Sequence, residues 1–130
     1  MYLIYNLLLI IVFILFVLPY YTYRLFTEKG FSRRFRQSLG RVHNKEIEKV
    51  MRKDCIWIHG ASVGEIVATS PLVKQIRQEM PDRPILVSAF TVGGYNMAKQ
   101  IIPEADAIIF FPLDLPFVAE SMVKRIHPGI

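Results

Sequence analysis

Residues 55–65 read CIWIHGASVGE, a short apolar run that passes into glycine, serine and glutamate. An apolar run of about four to eight residues bounded by turn residues predicts a buried strand, here residues 55–59. Apolar residues then recur at helical spacing over residues 65–80. Pro71 falls inside this second segment, so we expect a kink or a helix start near it. The stretch therefore predicts a strand, a tight loop and a helix in that order.

The same alternation of strand and helix occurs twice more along the chain. Residues 85–90 (ILVSAF) and 107–111 (AIIFF) predict two further strands, and a helix is predicted after each of them. Repeated strand–helix units with short links imply a parallel sheet. Residues 55–130 are therefore predicted to form a Rossmann-like α/β domain that is incomplete at its C-terminal end. Ile130 would open a fourth strand.

The N-terminal segment has a different composition, because residues 1–23 carry no charged side chain and are almost wholly aliphatic and aromatic. A bilayer core of about 30 Å is crossed by a helix of about 20 apolar residues, so this run is long enough. A cleaved signal peptide would need a basic start and a small-residue cleavage site, and the sequence has neither. Residues 1–23 are therefore predicted to be a transmembrane anchor.

The basic residues of the chain are concentrated directly after this anchor, in a predicted juxtamembrane segment over residues 24–54. This segment has ten basic and four acidic side chains, whereas residues 55–130 have six basic and seven acidic ones. Basic residues that flank a membrane helix mark the cytoplasmic side. A single cysteine, Cys55, fits a reducing compartment. We therefore expect a single-pass protein whose globular part is cytoplasmic.

Within the basic segment, Phe31, Phe35, Leu39 and Val42 recur at helical spacing with arginines between them. This pattern predicts a helix that lies in the membrane interface, with its apolar face in the lipid and its cations on anionic headgroups. One hypothesis is that this segment binds a phosphorylated lipid substrate. The simpler and favoured hypothesis is that it sets the membrane topology and adheres to the membrane surface. Nucleic-acid binding is not expected, because a membrane helix lies beside the basic residues.

Parallel α/β sheets bind ligands outside the carboxyl ends of their strands. This rule places residues 59–65, 91–94 and 112–114 along one edge. Glu65 begins a helix at that edge, where a carboxylate is favoured by the helix dipole and can also accept a proton as a general base. The sequence alone favours neither of the two explanations for Glu65, stabilisation of the helix start or general-base catalysis.

The Gly-x-Ser-x-Gly pattern around Ser62, between a strand and a helix, is typical of a hydrolase nucleophile. Asp114 and His127 would supply the other triad members in the usual order. Their placement argues against this hypothesis, because Asp114 precedes the last helix and His127 ends it, at the opposite edge of the sheet.

The chain resembles the N-terminal portion of the Kdo (3-deoxy-D-manno-octulosonic acid) transferases of lipopolysaccharide synthesis. The family's motifs occur here in its order: an apolar helix, an arginine-rich stretch, Ser62-Val63-Gly64-Glu65, Pro71-Leu72, Thr91 with Gly94, and Pro112-Leu113-Asp114-Leu115-Pro116. The resemblance implies a GT-B fold, in which one Rossmann-like domain binds the acceptor, a lipid A precursor (lipid IVA), and a second binds the donor, CMP-Kdo. Phe90 departs from the pattern, since some members have threonine there, and we expect the donor domain to be missing from these 130 residues.

The resemblance also implies roles for individual residues. Glu65 matches the family's catalytic base, which deprotonates an acceptor hydroxyl for inverting transfer of Kdo. Acceptor contacts are expected from the residues around it: His59, Ser62, Gly64, Thr91 and Gly94. No metal or cofactor is expected, and the location implied is the cell inner (cytoplasmic) membrane.

Two alternatives to the transferase stay open at this point. The first is a non-catalytic membrane adaptor that binds anionic lipid through its basic segment, and the second, weaker one is the serine hydrolase with Ser62 as nucleophile. A chain without the donor domain is expected to be inactive alone.

The charge asymmetry predicts the membrane topology. A green fluorescent protein fused after Ile130 should fluoresce in cells, and alkaline phosphatase fused there should be inactive, because both would lie in the cytoplasm. The matched control moves the basic residues ahead of Tyr2, which should reverse both signals. An active phosphatase on the unaltered chain would contradict the topology.

Overall fold

The computed structural model describes residues 2–130, without the side chains of Arg24 and Leu25. Met1, the first residue of the predicted anchor, and the side chain of Arg24, the first predicted basic residue, lie outside the described part. The chain divides into two compact units, one up to Ser32 and one from Arg33 to Ile130. The functional boundaries predicted from the sequence (1–23, 24–54 and 55–130) stay predictions.

The first unit is helical. Helix α1 (Tyr2–Val12) continues through a π-helical turn (Phe13–Val17) into α2 (Leu18–Thr27). Within it, the 22 residues Tyr2–Tyr23 are long and apolar enough to cross a membrane, by length and composition, and none of this span is buried inside the protein. The predicted N-terminal apolar helix is therefore present, with the length that a membrane span requires.

The second unit contains a three-stranded parallel sheet, as predicted. Its strands are β1 (Ile56–Gly60), β2 (Ile85–Ala89) and β3 (Ala107–Phe110), in the order β1-β2-β3. Ile56 lies opposite Ile85, and Leu86 lies opposite Ala107. Each strand begins and ends within one residue of its prediction.

Helices cover both faces of this sheet, which a parallel sheet requires because both of its faces are apolar. Helices α5 (Val63–Glu79) and α6 (Val92–Ile101) pack on one face. Helices α4 (Asn44–Ile47) and α7 (Pro116–Ile126) pack on the other. Helix α5 begins two residues before its prediction and contains Pro71 in its interior.

Alternate residues of the strands supply the two cores. Toward α5 and α6 the buried side chains include Ile66, Val73, Ile85, Val87, Tyr95 and Phe110, and the rings of Tyr95 and Phe110 stack at 4.4 Å. Toward α4 and α7 they include Ile47, Val50, Leu86, Ile109, Met122 and Ile126.

The free side of β1 is occupied by the main chain of Ile130. The Trp57 N–H donates to the Ile130 carbonyl (2.8 Å), and the Ile130 N–H lies 3.5 Å from the Cys55 carbonyl. This pair of bonds is the pattern of a parallel neighbour, on the side of β1 away from β2. The position of Ile130 thus agrees with its prediction as the opening of a fourth strand.

The predicted interfacial helix is shorter than the sequence suggested. Helix α3 (Phe31–Ser38) ends in a turn in which the Arg41 N–H bonds to the Arg36 carbonyl and the Gly40 N–H to the Gln37 carbonyl. Gly40 adopts a φ of +77° in this turn, which a residue with a side chain rarely does. Val42 lies beyond the helix and is buried in the core. The expectation of one lipid-facing helix through Val42 was therefore wrong.

Gln37 fixes α3 to the sheet. Its side chain is fully buried, and its Oε1 accepts the Phe110 N–H at the end of β3 (2.8 Å). Its Nε2 donates to the Glu46 carboxylate at 3.0 Å. The next residue continues the attachment, since the Ser38 carbonyl accepts the Leu113 N–H at 2.8 Å. The amide thus joins α3, α4 and the carboxyl end of β3.

We expect Gln37→Leu to destabilise the second unit by about 1–3 kcal/mol, because it leaves the buried Phe110 N–H without an acceptor. Gln75→Leu is the matched control, because Gln75 bonds to Glu79 on the exposed surface of α5, and the loss of this bond should cost less than about 0.5 kcal/mol. Urea unfolding of the chain in detergent micelles, followed by Trp57 fluorescence, measures both. Equal midpoints for the two variants would contradict this account of Gln37.

Candidate active site

The loops that leave β1 and β2 lie side by side at the carboxyl edge of the sheet. A Cβ atom on Gly94 would lie 3.5 Å from the Ser62 carbonyl carbon, and one on Gly93 would lie 3.2 Å from the Val63 side chain. The glycines after Thr91 therefore allow the two loops to touch. The shared edge predicted from the sequence brings Ser62, Gly64, Thr91 and Gly94 into one region.

Each of these two loops leads directly into a helix. Ser62 is the N-cap of α5, and its Oγ accepts the Glu65 N–H at 3.4 Å. Thr91 caps α6 in the same way, with its Oγ1 accepting the Gly94 N–H at 3.0 Å. Both hydroxyls thus stabilise helix ends, whatever else they contact. Ser62 and Gly64 are exposed, whereas Gly94 is buried beneath them.

Glu65 projects from the first turn of α5 and is exposed. Its Oε2 accepts the Ala61 N–H at 2.7 Å, which ties the carboxylate to the loop that leaves β1. No hydrogen bond from residues 2–130 is recorded to Oε1. One carboxylate oxygen is therefore held in place, and the other has no hydrogen-bond partner among the described residues.

His59 lies near this edge but on the face of the sheet that carries α7. Its Nδ1 is 3.1 Å from the Ser88 Oγ and its ring is 4.1 Å from that of Phe111. Trp57 donates to the same Ser88 Oγ at 2.9 Å. The exposed side of His59 lines an apolar hollow of about 340 Å³. Its predicted contact with an acceptor stays a prediction.

The hydrolase hypothesis is not supported by this arrangement. The His127 Nδ1 lies 3.4 Å from the Asp54 carboxylate, and Asp54 precedes β1 at the amino edge of the sheet. Ser62 is at the carboxyl edge, so the structure does not bring Ser62 and His127 together. Within residues 2–130 there is also no group of three or more histidine, cysteine, aspartate or glutamate side chains that could hold a metal ion.

Two arginines of α3 reach the same edge, a placement that no pattern in the sequence predicts. The Arg33 Nη1 donates to the Tyr95 hydroxyl at 3.1 Å, and this hydrogen bond raises the pKa of the guanidinium. The Arg34 guanidinium lies over the Phe90 ring, 5.1 Å from its centroid. These contacts join residues about sixty positions apart, so no local pattern could have revealed them.

The fold and this edge together define an α/β domain whose candidate ligand edge is built from helix starts, the exposed carboxylate of Glu65 and nearby arginines. The family model described as 3-deoxy-D-manno-octulosonic-acid transferase (kdotransferase) matches residues 33–130. The chain therefore belongs to the Kdo transferase family, as the resemblance of its motifs predicted. The match begins at Arg33, where the second compact unit begins.

Individual relatives carry the same name. The 3-deoxy-D-manno-octulosonic acid transferase of Haemophilus influenzae is 37% identical over 75 residues, which is 58% of this chain and 18% of the relative. That of Chlamydia muridarum is 37% identical over 76 residues, which is again 58% of this chain and 18% of the relative. That of Rickettsia felis is 28% identical over 93 residues, 72% of this chain and 20% of the relative. The chain thus spans about a fifth of the relatives' length, and no solved structure gives a significant match.

The contact between the two loops predicts opposite effects for two glycine substitutions. Gly94→Ala places a Cβ 3.1 Å from the Thr91 Oγ1 and 3.4 Å from the Ala89 Cβ, and overpacking of this kind costs about 1–3 kcal/mol. Gly64→Ala is the matched control, because its Cβ would meet only the Ser62 Oγ at 4.0 Å. It should stabilise α5 by roughly 0.5–1 kcal/mol. Urea midpoints measure both, and a stabilised Gly94→Ala chain would contradict the close packing.

Proposed function

We propose that this chain is the acceptor-side part of a Kdo transferase of GT-B fold. The complete enzyme would transfer Kdo from CMP-Kdo to the lipid A precursor, lipid IVA, with inversion at the anomeric carbon. Glu65 would be its general base. The proposal also places the chain at the cell inner membrane, anchored by its N-terminal helix, with the residues from Arg24 onward in the cytoplasm.

The observation that carries this proposal is the position of Glu65. In the proposed reaction, an acceptor hydroxyl donates its proton to the Oε1 of Glu65 as it attacks the anomeric carbon of Kdo. The new glycosidic C–O bond forms as the bond from that carbon to the CMP phosphate breaks, and CMP leaves with the electron pair. The Ala61 N–H holds the other carboxylate oxygen at 2.7 Å, so the base is oriented before the acceptor arrives.

The residues around Glu65 suit an acceptor site. Ser62 and Gly64 are exposed beside the carboxylate, and the open space at Gly64 allows a sugar to approach the backbone closely. Thr91 borders the same region, and the buried Gly94 would act through the packing of the two loops. His59 would contact the acceptor from the β1 side. These assignments extend the motif positions of the family to this chain.

The arginines of α3 suit the charge of the proposed acceptor. Lipid IVA is a phosphorylated disaccharide, and guanidinium groups bind phosphate through paired hydrogen bonds. Arg33 and Arg34 are held at the carboxyl edge by Tyr95 and Phe90 respectively. An anionic sugar bound over Glu65 would therefore lie near cations at the same edge of the sheet.

The central test is Glu65→Gln in a fusion of this chain with the donor-binding part of the Haemophilus influenzae relative. Glutamine keeps an oxygen that can accept the Ala61 N–H but is not a base, so turnover should fall by about 10²–10⁴-fold. Ser62→Ala should cost about 1 kcal/mol of stability through the lost cap, with a mild effect on turnover. Wild-type turnover in Glu65→Gln would end the assignment of the base, and abolished turnover in Ser62→Ala alone would favour the hydrolase.

A binding measurement on the chain itself separates the transferase from the adaptor. The chain reconstituted in vesicles should bind lipid IVA more tightly than phosphatidylglycerol, because only the former offers a phosphorylated disaccharide. Arg34→Gln should weaken this preference, whereas Lys74→Gln, on the exposed surface of α5, should not. Equal binding of both lipids would favour the adaptor.

A further inference from the structure

Tyr95 brings two cations from different helices into contact with one side chain. The residue is only 5% exposed, and one face of its ring stacks on Phe110 at 4.4 Å. Because Phe110 covers that face, the Lys99 ammonium lies over the other one, 5.1 Å from the ring centroid. The Arg33 guanidinium donates to the hydroxyl at 3.1 Å. We call Arg33, Tyr95 and Lys99 the Tyr95 cluster.

The positive charge of the Tyr95 cluster is only partly balanced. The Arg33 Nε lies 3.9 Å from the Glu46 Oε1, which is long for an ion pair. The other oxygen of Glu46 accepts the Gln37 side chain at 3.0 Å and the His43 N–H at 3.1 Å, so this carboxylate mainly serves the attachment of α3. Among residues 2–130, no carboxylate forms an ion pair with Lys99. Both cationic side chains are exposed and thus accessible to an anion.

Helix electrostatics account for only one of the two cations. Lys99 is in the last turn of α6, where the helix dipole favours a positive charge. Arg33 is in the first turn of α3, where the same dipole disfavours one. The hydroxyl that holds Arg33 there is neutral and occupies one N–H of the guanidinium. The unfavourable position of this charge is therefore better explained by an anionic ligand than by the stability of α3.

The Tyr95 cluster adjoins the loop that carries Glu65. Tyr95 directly follows Gly94, and a Cβ atom on Gly94 would lie 3.5 Å from the Ser62 carbonyl carbon. A ligand bound over Glu65 can therefore extend to the cluster along the same edge. Guanidinium binds phosphate through paired N–H groups, and ammonium binds it as a point charge. Two cations on one group suit a phosphomonoester, which carries close to two negative charges near neutral pH.

We infer that the Tyr95 cluster binds a phosphate group of the acceptor sugar, with Arg33 and Lys99 contacting its oxygens and Tyr95 positioning both cations. The inference rests on the proposed function for the identity of the sugar. It deepens that proposal by naming the residues that select a phosphorylated acceptor. The cluster lies beside Glu65, so it orients the sugar and takes no part in proton transfer.

Calorimetric titration of the full chain in detergent micelles tests this inference with soluble probes, which keeps binding to lipid out of the measurement. The probes are the deacylated phosphodisaccharide of lipid IVA, the same disaccharide after phosphatase treatment, and inorganic phosphate. The unaltered chain should bind the phosphodisaccharide about tenfold or more tightly than either of the other two. Lys99→Gln and Arg33→Gln should each weaken that binding by about tenfold, because each removes a charged hydrogen bond. Neither should change binding of the phosphatase-treated disaccharide.

Tyr95→Phe separates positioning from packing. Phenylalanine keeps the ring that stacks on Phe110 and removes only the hydroxyl that holds Arg33. Binding of the phosphodisaccharide should weaken severalfold, while the urea midpoint stays that of the unaltered chain. Lys74→Gln is the matched control, because Lys74 is an exposed lysine of α5, and it should bind all three probes as the unaltered chain does.

Unchanged affinity in Lys99→Gln and Arg33→Gln would overturn the inference, and so would equal binding of the two disaccharides by the unaltered chain. Inorganic phosphate that binds as tightly as the phosphodisaccharide would overturn the assignment to the acceptor in favour of free phosphate. A Tyr95→Phe chain that binds normally would overturn the positioning role. Failure of the proposed function is seen separately, as wild-type turnover in the Glu65→Gln fusion, which changes no residue of the Tyr95 cluster.

Discussion

Parallel pairing of the three strands is the constraint on which the rest of the second unit depends. Because β1, β2 and β3 run in the same direction, each connection must cross a face of the sheet, and every loop that follows a strand is at one edge. The helices that cover the two faces come from these connections, from residues 44–47 and from α7, which follows β3. The carboxyl edge thereby receives Ser62, Glu65 and Thr91 together.

Much of the sheet and of its carboxyl edge could be predicted from the sequence. Strand positions could be predicted to within one residue because each strand is a short apolar run bounded by turn residues, and local patterns suffice for that. The loop that carries Ser62 and Glu65 was placed correctly because it follows the first strand. The site itself was harder to predict from the sequence. Gln37 bonds to Phe110 and Arg33 bonds to Tyr95, and contacts between residues this far apart in the chain produce no periodic pattern. The end of α3 was missed although Gly40 could have indicated it.

Helix α3 shows how a polar residue can determine where a charged segment lies. Gln37 is flanked by arginines, yet it is buried, because the end of β3 presents an N–H that needs an acceptor. Satisfying that group places α3 across the carboxyl edge and brings Arg33 and Arg34 to it. Arginines that the sequence assigns to a membrane stripe are thus also side chains of the candidate site.

In the proposed function, Glu65 would combine two roles that are often treated as alternatives, helix-start chemistry and proton transfer. In the usual capping arrangement the third helical residue accepts the N–H of the N-cap; here the carboxylate accepts the N–H of Ala61, one residue earlier. This bond fixes one carboxylate oxygen and leaves the second without a hydrogen-bond partner among the described residues. In the proposed function, the second oxygen would receive the proton of an acceptor hydroxyl. A base held in a fixed position favours catalysis when the substrate is a large sugar whose hydroxyl must meet it at one place.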